Sequence, residues 1–228
     1  MLQIQQKLTP YNYTAMSNKK NTFIVVHYTG AAGTAKNNVD YFAREKLSAS
    51  ASYFVDNKSI WQCVEDKNKA WHCGGGLQGN GGHSFYKVCT NSNSIGIEMC
   101  CKKDTAGNLY IEPETVNNTI DLIRYLMNKY GIPLDKVIRH YDVTGKLCPA
   151  MYVNETAWQN FKNKIKEGNS VAEFKDTKGH YAEAHINDLL KMGVVNGDGN
   201  GNFRPNDNIK RGDVAIMVRN AIRYITGK

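Results

Sequence analysis

The sequence predicts a mixed α/β domain with a central β-sheet flanked by helices, followed by a small all-α helix-loop-helix domain. Three observations predict it. Short apolar, largely β-branched runs at Phe23–Val26, Ser94–Cys101 and Val137–Ile138 are separated by stretches with helical periodicity, an order that builds a sheet with helices packed on it. The chain has 228 residues, which suits one full domain and a small one. Beyond Glu167 the character changes to two amphipathic helical patterns with no strand pattern, and the expected division is residues 1–168 and 169–228.

Residues 1–21 are polar with little periodicity and read as a lead-in arm. Phe23-Ile-Val-Val26 reads as a buried strand with His27 at its carboxyl end. Thr34 is a suitable N-cap for a helix over Ala35–Leu47, where Val39, Phe42, Ala43 and Leu47 share helical spacing. Ser50–Val55 and Ser59–Val64 alternate about Asp56-Asn57-Lys58, as a hairpin does. A long segment from Ala70 to Asn93 holds Gly74, Gly75, Gly76, Gly79, Gly81 and Gly82, and inside a compact domain it reads as a binding loop. After the Ser94–Cys101 strand, Pro113 opens an amphipathic helix with Val116, Ile120, Ile123 and Met127 on one face, closed by Gly131 and followed by Pro133. Val137-Ile138 ends a short strand, and a polar loop with Thr144-Gly145 is expected from His140 to Pro149. A helix near Glu155–Lys166 then runs into a linker, Glu167-Gly-Asn-Ser170.

In the last part of the chain one helix carries Ile186, Leu189, Leu190 and Met192. A second carries Val214, Met217, Val218 and Ala221 beyond a loop rich in Gly and Asn. Asp198, Asn200 and Asn202 have the look of a calcium loop. Phe203 and Ile209 stand where that loop needs Gly and an acidic residue, which excludes it.

Hydrophobic residues make up 41% and charged residues 22%, as in an ordinary soluble protein, and no run of eighteen apolar residues exists to span a membrane. The first ten residues lack a long apolar core and a small-residue cleavage site, so they are not expected to be a signal peptide. A net charge of +8 and a pI near 9.1 favour an anionic partner. The Lys and Arg are scattered rather than gathered in a stripe, which argues against nucleic acid. The six cysteines include no C-x-x-C pair and are expected to be reduced. Cys100 and Cys101 end a strand and point to opposite faces as small hydrophobes.

Chemistry concentrates at Val137–Pro149, which places His140, Lys146 and Cys148 within a short span leaving a strand. An H-x7-C spacing is too long for one helical face, so a further metal ligand must come from elsewhere. His27, at another strand end, is a candidate for it. Two histidines and one cysteine leave a tetrahedral zinc ion one open position, the catalytic rather than the structural arrangement.

Five motifs in order, V-V-H-Y-T-G, S-A-S-Y-F-V-D, A-W-H-C-G, S-I-G-I-E-M and R-H-Y-D-V-T-G-K-L-C-P, resemble the type 2 N-acetylmuramoyl-L-alanine amidases, which include phage lysins and peptidoglycan recognition proteins. The resemblance covers about Thr22–Pro149. It implies one zinc per chain on His27, His140 and Cys148, with Glu98 and Lys146 at the catalytic positions. A buried carboxylate in the apolar run Ile95–Met99 must be paired or functional, and Glu98 is expected to act as general base and then proton donor. Lys146 is expected to hold the developing oxyanion. Some phage members use a tyrosine in the second motif, where this chain has Ala51 or Ser52, so that role is absent here. His72 is expected to contact substrate.

The last part of the chain resembles a single surface-layer homology (SLH) repeat, with Tyr181 where the family usually has Trp and Asp213 where it usually has Glu. The resemblance implies a wall-binding or self-associating module, with Arg211 as a contact for an anionic wall polymer. Bacterial peptidoglycan is the expected substrate, and no nucleic acid or membrane partner is expected. The competing reading is a recognition protein without activity, disfavoured because Cys148 is kept. A wall-directed enzyme with no export signal is expected to be made in the cytoplasm. It would act after release, as a phage or prophage endolysin or a lysis-released autolysin.

Overall fold

The computed structural model describes residues 1–167 and 174–226. The chain divides into two compact units, Met1–Lys166 and Glu167–Lys228. The expected linker residues Gly168–Ser170 lie outside the described residues.

The first unit is built on a sheet of β1 (Ile4–Gln6), β3 (Phe23–Ala32), β4 (Tyr53–Val55), β5 (Ile60–Gln62), β7 (Ser94–Lys103), β8 (Leu109–Tyr110) and β9 (Val137–Arg139). The order is β1-β5-β4-β7-β3-β9, with β8 pairing β7 antiparallel. The central ladders of β4, β7, β3 and β9 are parallel, and β4 and β5 form the expected antiparallel hairpin. Asp56 closes that turn by accepting the backbone N–H groups of Lys58 and Ser59. A separate antiparallel pair joins β2 (Tyr13–Thr14) and β6 (Lys69–Ala70), so the amino-terminal arm contributes two short strands.

Alternation along the buried strands divides the domain into two layers. Ile24 and Val26 of β3 and Ile95, Ile97 and Met99 of β7 face the main core. That core is completed by α2 (Pro113–Tyr130) and α4 (Glu155–Glu167). Leu122, Ile123 and Leu126 of α2 are fully buried there, each stabilising the fold by roughly 1.5–3 kcal/mol. Gly131 ends α2 with φ +64, and its N–H reaches the Met127 carbonyl, a left-handed cap that glycine adopts without strain. On the other face Phe23 and Val25 meet Cys73, Cys89, Ile138 and Val143. α1 (Ala35–Arg44) packs Ala35 and Val39 beside Phe54 and Cys100. Thr34 caps α1 by accepting from Asn37 N–H, as its sequence position predicts. All six cysteines are buried with free thiols.

Two local expectations are corrected. His27 does not end its strand. The ladder to β7 carries on through Tyr28 and, past a register shift, to Ala32, because β7 is equally long and offers partners beyond Met99. The residues after β9 do not form a loop from the outset, but a five-residue helix, α3 (His140–Thr144). The cause is local. The Asp142 carboxylate accepts the Arg139 N–H, and the buried Arg139 guanidinium donates to Asp142, Glu155 and the carbonyls of Tyr152 and Val153. A satisfied first turn makes helix the better choice for these residues.

The second unit contains α5 (Glu183–Lys191) and α6 (Arg211–Thr226). Phe174, Ile186, Val194 and Val195 are the buried apolar residues among those described in this unit, and the Phe174 ring lies 5.2 Å from that of Phe203. The Asp176 carboxylate accepts the N–H groups of Phe203 and Arg204, and Asp198 accepts those of Asn200 and Asn202. Tyr181, at the position where an SLH repeat usually has Trp, is 92% exposed. No described helix of the chain is long and apolar enough to cross a membrane.

Candidate metal centre

The sheet brings together residues far apart in sequence. His27 projects from β3, His140 opens α3 directly after the neighbouring strand β9, and Cys148 lies in the turn beyond α3. One donor atom from each of these three buried residues lies within 4.8 Å of the others. The His27 and His140 rings meet edge to face at 4.7 Å, and His27 Nδ1 stands 3.7 Å from Cys148 Sγ. Two tetrahedral zinc ligands, one thiolate and one imidazole, are separated by roughly 3.6 Å when bond lengths are about 2.3 and 2.05 Å. Both ring nitrogens of His140 are buried without a hydrogen-bond partner, as is Oε2 of Glu98. Buried polar atoms are rarely left this way. A cation between the three side chains answers the orphaned imidazole, and the donor set fits zinc.

Electrostatics point the same way. Burial drives His27 well below the usual imidazole range, with His140, His72 and Lys146 adding to the effect. His140 is lowered to about 4, first by burial and then by Lys146. Both rings are therefore neutral at pH 7 and have a lone pair to give. The Cys148 thiol is pushed up to about 12 by burial and by Glu98, against a backbone hydrogen bond from Tyr28. Without a neighbouring cation it holds its proton.

Glu98 lies on β7 as the register partner of His27 on β3, so the two project from one face. Burial raises its carboxyl to about 8, and the Lys146 ammonium pulls the other way. Lys146 is exposed, just past α3. The glycine-rich segment lies along α3: Gln78, His83 and Phe85 donate backbone N–H groups to Thr144, Tyr141 and Asp142, and Tyr141 donates its hydroxyl to the Asn80 carbonyl. These bonds hold the short helix that carries His140.

His72, the expected substrate contact, lies directly beside the ligand set. It is 8% exposed, and its ring nitrogens stand 3.1 Å from His27 Nε2 and 3.1 Å from Ser94 Oγ. Sequence reasoning missed Ser94 and Gly96 as neighbours of the site. The available signal was the alternation Ser94-x-Gly96-x-Glu98, which puts all three on one strand face with a glycine in mid-strand.

Residues 17–151 match the family model described as N-acetylmuramoyl-L-alanine amidase. The chain belongs to this amidase family. Residues 173–215 match the S-layer homology domain. Among similar curated proteins, N-acetylmuramoyl-L-alanine amidase CwlL of Bacillus licheniformis is 34% identical over 75% of this chain and 48% of its own length. N-acetylmuramoyl-L-alanine amidase BlyA of Bacillus subtilis is 36% identical over 68% of this chain and 44% of its own. The chain thus spans about half the length of these amidases. The solved structure of PlyL superposes with a TM-score of 0.60 at 31% identity, over 74% of this chain and 99% of PlyL. His27, His140, Cys148, Glu98 and Lys146 all lie within the span matched to the amidase family.

Proposed function

We propose that this chain is a zinc-dependent amidase that cuts the bond between N-acetylmuramic acid and the L-alanine of the stem peptide in bacterial peptidoglycan, and so lyses the wall. The observation that carries the reading is the convergence of His27, His140 and Cys148 beside the half-buried carboxylate of Glu98, whose Oε2 is sealed from solvent. One zinc per chain is the ion that best suits two imidazoles and a thiolate. Zinc held by three protein donors supplies a Lewis acid for a carbonyl oxygen and lowers the pKa of water to roughly 7.

The protein's own groups do the rest. Burial keeps the imidazoles of His27 and His140 neutral, as donors must be. Glu98, sealed from solvent at Oε2 and held above the usual carboxylate range by burial in the metal-free chain, is the group placed to exchange a proton with the attacking water. It takes a proton from the attacking water and passes it to the amide nitrogen as the C–N bond breaks. Water thereby leaves a muramyl carboxylate on one product and a free alanine amino group on the other. The Lys146 ammonium, at the rim, faces the charge that develops on the carbonyl oxygen.

Residues 1–168 form the catalytic domain in this reading, and residues 169–228 keep it at the wall. Arg211, exposed at the start of α6, suits carboxylate or phosphate groups of an anionic wall polymer. Self-association through this module would complete a surface too small to bury much core alone. Relatives named N-acetylmuramoyl-L-alanine amidases and the match to the S-layer homology domain support action on the bacterial wall, and we place that action after release from a cell, as a lysin or autolysin.

The test is chemical analysis of purified cell walls after incubation with the protein. New amino-terminal alanine without new reducing sugar ends is expected, and a zinc chelator should prevent its appearance. New reducing ends would mean glycan cleavage and overturn the assignment.

A further inference from the structure

His72 is buried, holds both ring nitrogens in hydrogen bonds, and takes no part in the chemistry above. Its contacts have a fixed direction. His27 turns Nδ1 toward Cys148, so in a metal site its proton sits on Nε2, 3.1 Å from His72 Nδ1. His72 accepts that hydrogen and must carry its own on Nε2, which points at Ser94 Oγ at 3.1 Å. Ser94 accepts it and donates its hydroxyl hydrogen to the Thr90 carbonyl at 2.6 Å. Each donor meets one acceptor. Reversing the proton on His72 sets two N–H groups head to head at His27.

Two independent features seat the ring. A Cβ placed on Gly96 would lie 2.5 Å from His72 Cγ and 2.7 Å from its Nδ1. Glycine weakens a strand interior, and here the missing side chain is the space that the ring fills. Asn91 Oδ1 accepts the backbone N–H groups of His72 and Cys73, at 3.0 and 2.9 Å, so the segment is anchored although it borders the glycine-rich stretch.

We infer that His72 and Ser94 are positioning residues that hold His27 in the Nε2–H tautomer and aim its Nδ1 at the metal. The inference rests on the zinc reading of His27, His140 and Cys148. Outer partners of a ligating histidine raise its basicity and fix its ring, and losing them typically weakens metal binding 10- to 100-fold.

The experiment measures zinc dissociation constants of the full-length protein by competition with a chromogenic chelator. It uses wild type, His72→Phe, His72→Asn and Ser94→Ala, each checked for folding by circular dichroism. His72→Phe should bind zinc about 10- to 100-fold more weakly. His72→Asn places Oδ1 near the lost Nδ1, keeps an acceptor for His27, and should recover most of that loss. Ser94→Ala leaves the His72 proton unanchored and should show a smaller loss. Nitrogen-15 NMR of the zinc-loaded wild type should find the His72 proton on Nε2. A folded His72→Phe that binds like wild type overturns the inference, as does an Asn variant no better than Phe or a proton on His72 Nδ1. Should His72→Phe fail to fold, Ser94→Ala and the NMR tautomer decide alone. A wild type that binds no zinc strikes the metal reading itself, and the inference with it.

Discussion

His27 and Glu98 stand opposite one another in the parallel ladder between β3 and β7. An imidazole and a carboxylate therefore leave the same sheet face side by side, one from a strand whose partner β9 leads into His140. Parallel strands are set about 4.8 Å apart, so the spacing between proposed ligand and proposed base is fixed by backbone pairing, which rigid elements hold better than loops do.

Glu98→Gln should retain fold and zinc while losing most turnover, about 10²- to 10⁴-fold, since the amide is nearly isosteric but takes no proton. Zinc content and the rate of wall solubilisation, measured on one preparation, check this. A variant with near wild-type rate would remove Glu98 from the mechanism.

Metal-free stability should depend on pH through the same residue. The Glu98 carboxyl ordinarily titrates near 4.5, and burial raises it to about 8. Between those values the unfolded chain has lost a proton that the folded chain keeps. The contribution of protonated Glu98 is thus fully present below 4.5, declines as pH rises, and is gone above about 8. In chelator-treated protein the melting temperature of wild type should fall relative to that of Glu98→Gln across this window. A gap between the two that ignores pH would contradict the burial argument.

Lys146→Ala should lower kcat more than it changes KM, because a charge aimed at a developing oxyanion acts on the transition state. Removing one such group costs about 10²- to 10³-fold in comparable sites. Steady-state kinetics on a soluble muramyl peptide separate the two constants. A rise in KM at unchanged kcat would make Lys146 a substrate-binding residue.

Much of the arrangement was legible in the residues. The strand Phe23–Val26, the Thr34 cap, the Asp56 hairpin turn and the Gly131 stop each follow from local chemistry that tertiary packing has no reason to override. The membership of His27, His140 and Cys148 in one cluster was also readable, because each lies on or just beyond a buried run. The extent of β3 was not, since its continuation past His27 depends on the length of β7. The helix at His140 was missed because its cause is Arg139, whose partners include Glu155 and the carbonyls of Tyr152 and Val153. The seat of His72 was not legible for a similar reason. A histidine in a glycine-rich stretch shows no packing partners until the pairing of β3 and β7 places His27, Ser94 and Gly96 around it.

The carboxy-terminal module should govern attachment rather than chemistry. A chain cut to residues 1–166, the first compact unit, should keep activity on soluble muramyl peptides and pellet less with purified walls. Arg211→Ala in the full chain should reduce pelleting in the same direction, with the larger effect at low salt. Equal pelleting of the truncated and full chains would leave the module without an anchoring role.

Zinc K-edge X-ray absorption on the purified protein, with the metal quantified on the same sample, tests the proposed centre most directly. One zinc per chain is expected, with a single sulfur at about 2.3 Å and nitrogen or oxygen neighbours at about 2.0 Å. Cys148→Ser should erase the sulfur shell. A zinc environment with no sulfur, or one whose sulfur survives the loss of Cys148, would contradict a centre built on His27, His140 and Cys148.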